Sequence, residues 1–271
     1  YRNIAVRSGR YKLVGQVAFL ATQRWDRQGG EIEPQKIGYE AVYFVKTKRG
    51  RAVGTLVYFD QTAMRRQMGK MSGAAPPLPR APDEPQVVRA PPIEGGGEVV
   101  DRLYEIWDGD DLGRLEEIVA GDFVLVDHAS GKRLDLEAAR RWMRGQAPGV
   151  SHAGFERHKT VRVGPFVATM FVERVDYRDP EAGDAGVARR LALHGAHVIE
   201  LDGDKVATIE AYSNKVELLR ETGRLEAALE GEAASEKEAA PAGEEAEAAD
   251  AAGGEKQRGD EGAAGKSEPG A

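Results

Sequence analysis

Between Lys70 and Gly97 the chain carries Pro76, Pro77, Pro79, Pro82, Pro85, Pro91 and Pro92, closed by Gly95-Gly96-Gly97. Proline fixes φ and lacks an N–H, so this stretch favours an extended course over a regular element, and the glycines add freedom at its end. Residues 70–97 therefore read as a linker. It divides the 271 residues into an N-terminal part, 1–69, and a longer C-terminal part. From Arg224 onward, 13 acidic and 5 basic residues are set among Ala and Gly, with almost nothing to bury. The span 224–271 is expected to be a helix end followed by a disordered acidic tail. That tail accounts for the net charge of −7 and leaves the remainder near +1. A nearly neutral folded part lacks the basic face of a nucleic-acid binder.

The absence of cysteine excludes disulfides, thiol nucleophiles and thiolate zinc sites. No apolar run approaches the length of a membrane span and no signal peptide is visible, so the expectation is a soluble, cytoplasmic protein without a membrane partner. A first residue of Tyr1 rather than Met fits a fragment or a processed product.

Before the linker, Tyr11 to Trp25, Ile37 to Thr47 and Val53 to Phe59 are rich in β-branched and aromatic residues and are separated by turn signals. Asp60 can cap a short helix through Met68, with Gly69 at its end. Three strands and a helical turn leave a sheet with an apolar face to cover, so 1–69 reads as the back half of a domain. After the linker, Val99, Val100, Leu103, Tyr104 and Trp107 have helical spacing. Asp111 can cap a second helix, Phe123 to Val126 is a short strand, and Leu136 to Arg144 a third helix. The strand-like segments Phe155–Val163, Val167–Asp176, Ala188–Leu201 and Lys205–Tyr212 follow, with Gly203 in the last turn, before a closing helix over Lys215–Leu229. Helices first and antiparallel strands after make 98–223 a complete α+β domain.

Two stretches carry chemistry. Thr22-Gln23-Arg24-Trp25-Asp26 places Arg24 and Asp26 on one strand face, and Tyr58-Phe59-Asp60-Gln61 ends a neighbouring strand. An Asp–Arg–Asp set of this kind lets one carboxyl stay ionised while the other holds a proton. Glu173-Arg174-Val175-Asp176 with Tyr212-Ser213-Asn214 offers an altered second copy of the layout.

These residues resemble the SnoaL-like group of the nuclear transport factor superfamily. Arg49-Gly50-Arg51 through Tyr58-Phe59-Asp60-Gln61 to Arg66-Gln67-Met68-Gly69 is similar to that family's last strand and closing turn. Leu103-Tyr104-Glu105 to Phe123-Val124-Leu125-Val126-Asp127 is similar to its opening helices and first strand. The resemblance implies a cone-shaped curved antiparallel sheet wrapped by helices, in tandem copies of which the first is incomplete, its first strand lying before residue 1. It covers most of 5–69 and all of 98–223. It is specific for fold and weak for function, since cyclases, isomerases, hydrolases and plain binders share it.

Within the group, Arg24, Asp26 and Asp60 are similar to the Asp–Arg–Asp arrangement of limonene-epoxide-hydrolase-like enzymes. The resemblance implies Asp60 as the base that activates water, Asp26 as the acid, Arg24 as the bridge, and no metal or cofactor. In the second copy Arg174 and Asp176 match, but Asn214 stands at the terminal acid, and an amide is no general base. Val126 and His128 replace the expected Tyr and Asn. Glu210, which shares a strand face with Tyr212 and Asn214, is a candidate replacement carboxylate.

Plainer readings stand beside these. Arg24 and Asp26 also fit an ion pair on a solvated face, and Asp60 a helix cap. Arg174 and Asp176 also fit a purely structural pair, and His128 beside Asp127 fits either an acid/base pair lining the pocket or a polar strand end. Tyr104, Trp107, Trp142, Phe155 and Phe171 fit an apolar ligand cavity and core packing equally. His194 and His197, three apart, should leave opposite strand faces. The function expected is conversion or binding of a small apolar molecule in a cone pocket, by epoxide hydrolysis or by cyclase- or isomerase-type acid–base chemistry. The competing class is a non-catalytic ligand-binding or dimerisation module. Either way the sheets are expected to pair, as an internal pseudo-dimer or as a homodimer.

Overall fold

The structure, a computed structural model, describes residues 2–5, 11–25, 30–49, 51–80, 86–88, 92–145, 148–180 and 187–229. Asp26 and the tail from 230 on lie outside them. The fold is α+β, strand-rich with few helices.

The first sheet holds β1 (Arg2–Ala5), β2 (Tyr11–Trp25), β3 (Glu31–Lys48), β4 (Arg51–Tyr58) and β5 (Gln86–Val88), in the order β4-β3-β2-β1-β5. Its last long strand runs into α1 (Gln61–Gln67), capped by Asp60 and ended at Gly69 with φ +63°. The strands are longer than the propensity runs, because ladder pairing carries β3 through polar residues such as Gln35 and Lys36.

The second sheet is built from β6 (Pro92–Glu94), β7 (Val119–Asp127), β8 (Lys132–Leu134), β9 (Val150–Val163), β10 (Phe166–Tyr177), β11 (Arg189–Asp202) and β12 (Lys205–Ser213), in the order β6-β9-β10-β11-β12-β7-β8. Register shifts within the β9–β10 and β11–β12 ladders are bulges that bend the sheet. The bent sheet wraps around α2 (Glu98–Asp108), a 3-10 helix (Leu112–Glu117) and α3 (Leu136–Arg144). Val100, Leu103, Tyr104, Ile106 and Trp107 of α2 are all buried, as their spacing predicts. They pack with Phe123, Leu125, Val167, Ile199 and Ile209 from the sheet's inner face. The expected closing helix is broken in two: α4 covers Lys215–Glu221, Gly223 takes φ +73°, and a short helical turn resumes over 225–229.

Strand alternation gives the second sheet's outer face its own apolar set: Phe166, Ala168 and Met170 on β10, Ala196 and Val198 on β11, and Tyr212 on β12. These pack against Val14, Val42 and Phe44 of the first sheet, so the two sheets lie face to face. Polar contacts cross the same plane. The linker differs from a free spacer. Its β5 runs parallel to β1 and its β6 antiparallel to β9, each extending a sheet at its edge. Gln67 Nε2 also donates to Pro76 O at 3.2 Å, and Ser72 N donates to Ala228 O at 3.0 Å. Prolines suit edge positions because the missing donor would face outward. Among the described residues no helix is long and apolar enough to cross a membrane.

Candidate active site

The two closing turns are built alike. Asp60 follows Tyr58 by two residues and Asn214 follows Tyr212 by two, and each is the cap of a seven-residue helix. Asp60 Oδ1 accepts from Thr62 N at 2.5 Å, and Asn214 Oδ1 accepts from Val216 N at 3.3 Å. The second Asp60 oxygen accepts from Lys215 N at 3.4 Å, so the carboxylate also ties the two turns together. Burial raises the Asp60 pKa, while bonds from Thr62 and Lys215 partly offset it.

Arg24 is not brought to this turn. Tyr58 pairs with Val42 and Val42 with Gln16, so Gln16 is the β2 residue on the rung of Tyr58. Arg24 is exposed and stands eight residues farther along β2, roughly 26 Å at the rise of a strand. In the second sheet the matching rung runs Tyr212, Ala196, Met170. Counted from that rung, Arg174 and Asp176 correspond to Leu20 and Thr22, not to Arg24 and Asp26. The Arg-x-Asp spacing recurs by sequence but at different ladder positions.

Arg174 and Asp176 leave the outer face of β10. Arg174 Nη2 donates to Glu156 at 2.8 Å, and Arg190 grips Asp176 with two bonds of 2.9 Å. The Arg190 guanidinium holds the Asp176 carboxyl below its usual range. Both pairs are solvated and add little to stability.

Glu210 and Tyr212 also face away from the cone, toward the first sheet. Gln16 Nε2 donates to Glu210 at 2.6 Å and to the Tyr212 hydroxyl at 2.9 Å, and that hydroxyl donates to Glu210 at 2.9 Å. His128 lies between Glu210, 3.0 Å from Nε2, and Glu40 of the first sheet, 2.5 Å from Nδ1, with its ring stacked on Tyr212. Burial alone would lower its pKa, but the two carboxylates overcome this and raise it to about 9. The sheet-to-sheet plane therefore holds a buried imidazolium bridge.

Inside the cone, Trp107 is 2 % exposed, and its indole N–H donates to Met143 O at 3.1 Å. Its ring stacks on His197 at 5.3 Å and meets Phe155 and Trp142 edge-on at 4.8 and 5.9 Å. Tyr104 OH lies 2.9 Å from His197 Nδ1. Burial, with the charge of His152 nearby, lowers the His197 pKa to about 3, so that imidazole is neutral. His194 is exposed on the opposite face, as the three-residue spacing requires. Phe155 and Trp142 are only half buried and form the rim.

Asp127 points inward but is saturated: it accepts from Ala129 N, Ser130 Oγ, Trp142 Nε1 and Lys215 Nζ at 3.1, 2.7, 3.3 and 3.1 Å. Burial raises its pKa, but the Lys215 ammonium and the hydrogen bonds outweigh this and the net shift is downward. It anchors α3 and α4 to the end of β7.

Sequence reasoning missed the inward carboxylate, Glu173. Two residues beyond Phe171 on β10, it shares the inner face, while Arg174 takes the outer one. His152 Nδ1 lies 2.9 Å from Glu173 Oε1, and its Nε2 lies 3.0 Å from Asp108 Oδ1 at the end of α2. The His152 and Glu173 side chains are each 7 % exposed, that of Asp108 38 %. Burial works against protonation of His152, but the bonds to Asp108 and Glu173 raise its pKa to about 9. The rim ring of Phe155 sits 4.5 Å from His152. A carboxylate, an imidazolium and a partly solvated carboxylate thus run in line from the cone's aromatic interior toward water. Such a line can accept a proton at Glu173, hold the charge and exchange it at Asp108. Alternation counted from Phe171 was the available signal for Glu173; His152 and Asp108 had none, because only folding brings them together. Among the described residues no cluster has metal-binding geometry. One surface cleft of about 350 Å³ carries Arg102, Arg162 and Lys205. Each of the three is engaged, with Glu117, Gly164 O and Glu117 O respectively.

Residues 100–209 match the family profile described as a SnoaL-like domain. Among solved structures, a Catenulispora acidiphila DSM 44928 protein with a ketosteroid isomerase-like fold, in complex with trimethylamine, is 20% identical over 48% of this chain and 95% of its own, with a TM-score of 0.40. IdmH from Streptomyces antibioticus, a candidate polyketide cyclase, is 20% identical over 46% of this chain and 96% of its own, at 0.39. An LEH-like epoxide hydrolase of M. tuberculosis is 15% identical over 48% and 91%, at 0.37. No curated protein sequence matches the chain.

Proposed function

We propose that the domain whose residues 100–209 match the SnoaL-like profile takes a small, largely apolar molecule at the rim of its cone and acts on it by acid–base chemistry. The observation that carries the reading is the Glu173–His152–Asp108 line beside Phe155, with half-buried Trp142 as the apolar wall and the buried Trp107 packed behind it. Glu173 is the base for a proton on carbon. His152, a charged donor to Glu173, fixes that carboxylate and balances the charge as the proton moves, and Asp108 connects the pair to solvent. This is the cyclase- or isomerase-type version of the chemistry. Epoxide opening is the weaker version, since Arg24 stands far from Asp60 along β2.

In this reading the first sheet is an incomplete second copy of the same domain, and the two sheets pair as an internal pseudo-dimer. The matched closing turns and the apolar plane between the sheets support it. A non-catalytic binding or dimerisation module is the second reading. It is favoured by the mutually packed rings of Trp107, His197, Phe155 and Phe171, which occupy much of the cone interior.

The test is deuterium exchange at the α-carbon of a panel of bicyclic aromatic ketones, followed by NMR, with epoxide hydrolysis assayed in parallel. The expected result is exchange above background that Glu173→Gln abolishes while the ketone still binds. Binding without exchange in the wild type would favour the second reading. Exchange unaffected by Glu173→Gln would remove Glu173 as the base.

A further inference from the structure

Charge is divided unevenly along the chain. Residues 1–69 carry 13 basic and 5 acidic residues, whereas 98–223 carry 17 and 24. The tail is uneven too. Between 230 and 250 stand 8 acidic residues and 1 Lys, while from 255 onward 4 acidic residues are set against 3 basic ones. The acidic charge of the tail is therefore concentrated in its first half.

The two closing turns fix where that half begins. Gly69 N donates to Arg66 O at 3.0 Å and Lys70 N to Arg65 O at 2.7 Å; Gly223 N donates to Arg220 O at 3.1 Å and Arg224 N to Leu219 O at 2.8 Å. Gly69 and Gly223 take φ +63° and +73°. Arg66 thus corresponds to Arg220 and Lys70 to Arg224. The helices α1 and α4 touch, and Arg66 Nε donates to Ser72 O at 3.1 Å. One helical turn past Arg224, Ala228 O accepts from Ser72 N at 3.0 Å and from Ser72 Oγ at 3.2 Å. Cations from both turns therefore gather at one junction. Among the described residues, the side chains of Lys70, Arg220 and Arg224 make no ion pair. Of the acidic residues on the same stretch, Glu217 is held by His194, and Glu221 and Glu226 are outnumbered. Arg220 and Arg224 are exposed although their own cone is complete. The outward side of this turn is open whatever covers the inner face of the first sheet.

We propose that residues 230–250 bind back on this cationic junction, as an acidic strap across the ends of α1 and α4 that holds the two sheets together from outside. Glu230 lies two residues beyond Ala228, and a segment of this length extends to about 70 Å, more than the junction requires. Exposed ion pairs are individually weak, but a tether supplies an effective concentration in about the millimolar range, so several weak contacts suffice. The inference is independent of the chemistry assigned to His152 and Glu173.

Because the chain has no cysteine, Ala246→Cys gives a single nitroxide site within the acidic stretch. Amide relaxation of the full chain is then read by NMR in 10 mM and 1 M salt, between which the screening length falls from about 30 Å to about 3 Å. The expected result is paramagnetic broadening at 65–70 and 219–224 that drops at least about three-fold at high salt. Glu244→Gln/Glu245→Gln/Glu247→Gln/Asp250→Asn should lower it as far at low salt. Lys70→Glu/Arg220→Glu/Arg224→Glu, at side chains without ion-pair partners, should do the same from the other side. Three results would overturn the proposal. Broadening that ignores both salt and charge would mean that the tail is tethered and nothing more. Broadening centred on the Lys48–Arg51 turn would place the contact elsewhere. Broadening passed from a labelled chain to an unlabelled, isotope-enriched one would assign the contact to a second copy.

Discussion

Replacing His128 with glutamine is expected to destabilise the protein below pH 7 and to remove much of its loss of stability in mild alkali. The imidazole is buried between Glu40 of β3 and Glu210 of β12, under Tyr212, with Gln16 of β2 on Glu210 and Asp127 next in sequence. Its pKa rises from 6.5 to about 9 on folding. A group whose folded pKa is raised contributes stability that is complete below the unfolded value and disappears as pH climbs through the folded one. The difference corresponds to roughly 3 kcal/mol. At about 2–4 °C per kcal/mol for a protein of this size, His128→Gln should lower Tm at pH 6 by roughly 6–12 °C. His152 has a parallel shift, also to about 9, for the same reason. The wild type should therefore lose stability between pH 6.5 and 9 in two overlapping contributions, His128→Gln should keep only that of His152, and His128→Gln/His152→Gln should be flat there. Thermal melts across that range check it. An unchanged slope in His128→Gln would mean the bridge between the sheets is not ionic.

Trp107→Ala should cost about 3–5 kcal/mol, the usual penalty for removing a large buried aromatic. The indole is packed against His197, Phe155, Trp142 and His152, and its N–H serves Met143 O, which would be left without that donor. Against a typical total of about 5–15 kcal/mol, that is enough to unfold a marginal domain. Trp142→Ala, at a half-exposed rim position, should cost clearly less. Urea unfolding of both variants provides the comparison. Equal, small losses would place Trp107 in ligand-accessible space rather than in the core.

Much of the fold was legible because it rests on local periodicity. The α2 stripe from Val100 to Trp107, the four long strands and both closing turns follow from spacing and cap chemistry. The site was less so. Arg24 and Asp60 share a spacing with known carboxylate sets, but the rung on which a residue lands depends on how many residues separate it from the closing turn, and that count is a property of the paired ladder. Arg174 and Asp176 share that spacing, but a step of one residue, to Glu173, changes the face. Alternation puts Glu210 and Tyr212 on one strand face, but which side faces the cone depends on what packs against each. The linker showed its prolines but not its edge strands, which exist only once both sheets are present to receive them.

The functional reading stands on whether small apolar molecules enter at the Trp142 rim. Labelling the three tryptophans, Trp25, Trp107 and Trp142, with 5-fluorotryptophan and titrating the bicyclic ketones by fluorine NMR tests this directly. The account predicts saturable shifts at Trp142 and Trp107, retained in Glu173→Gln, with Trp25 unmoved. Shifts confined to Trp25, or none at any ligand concentration, would contradict it.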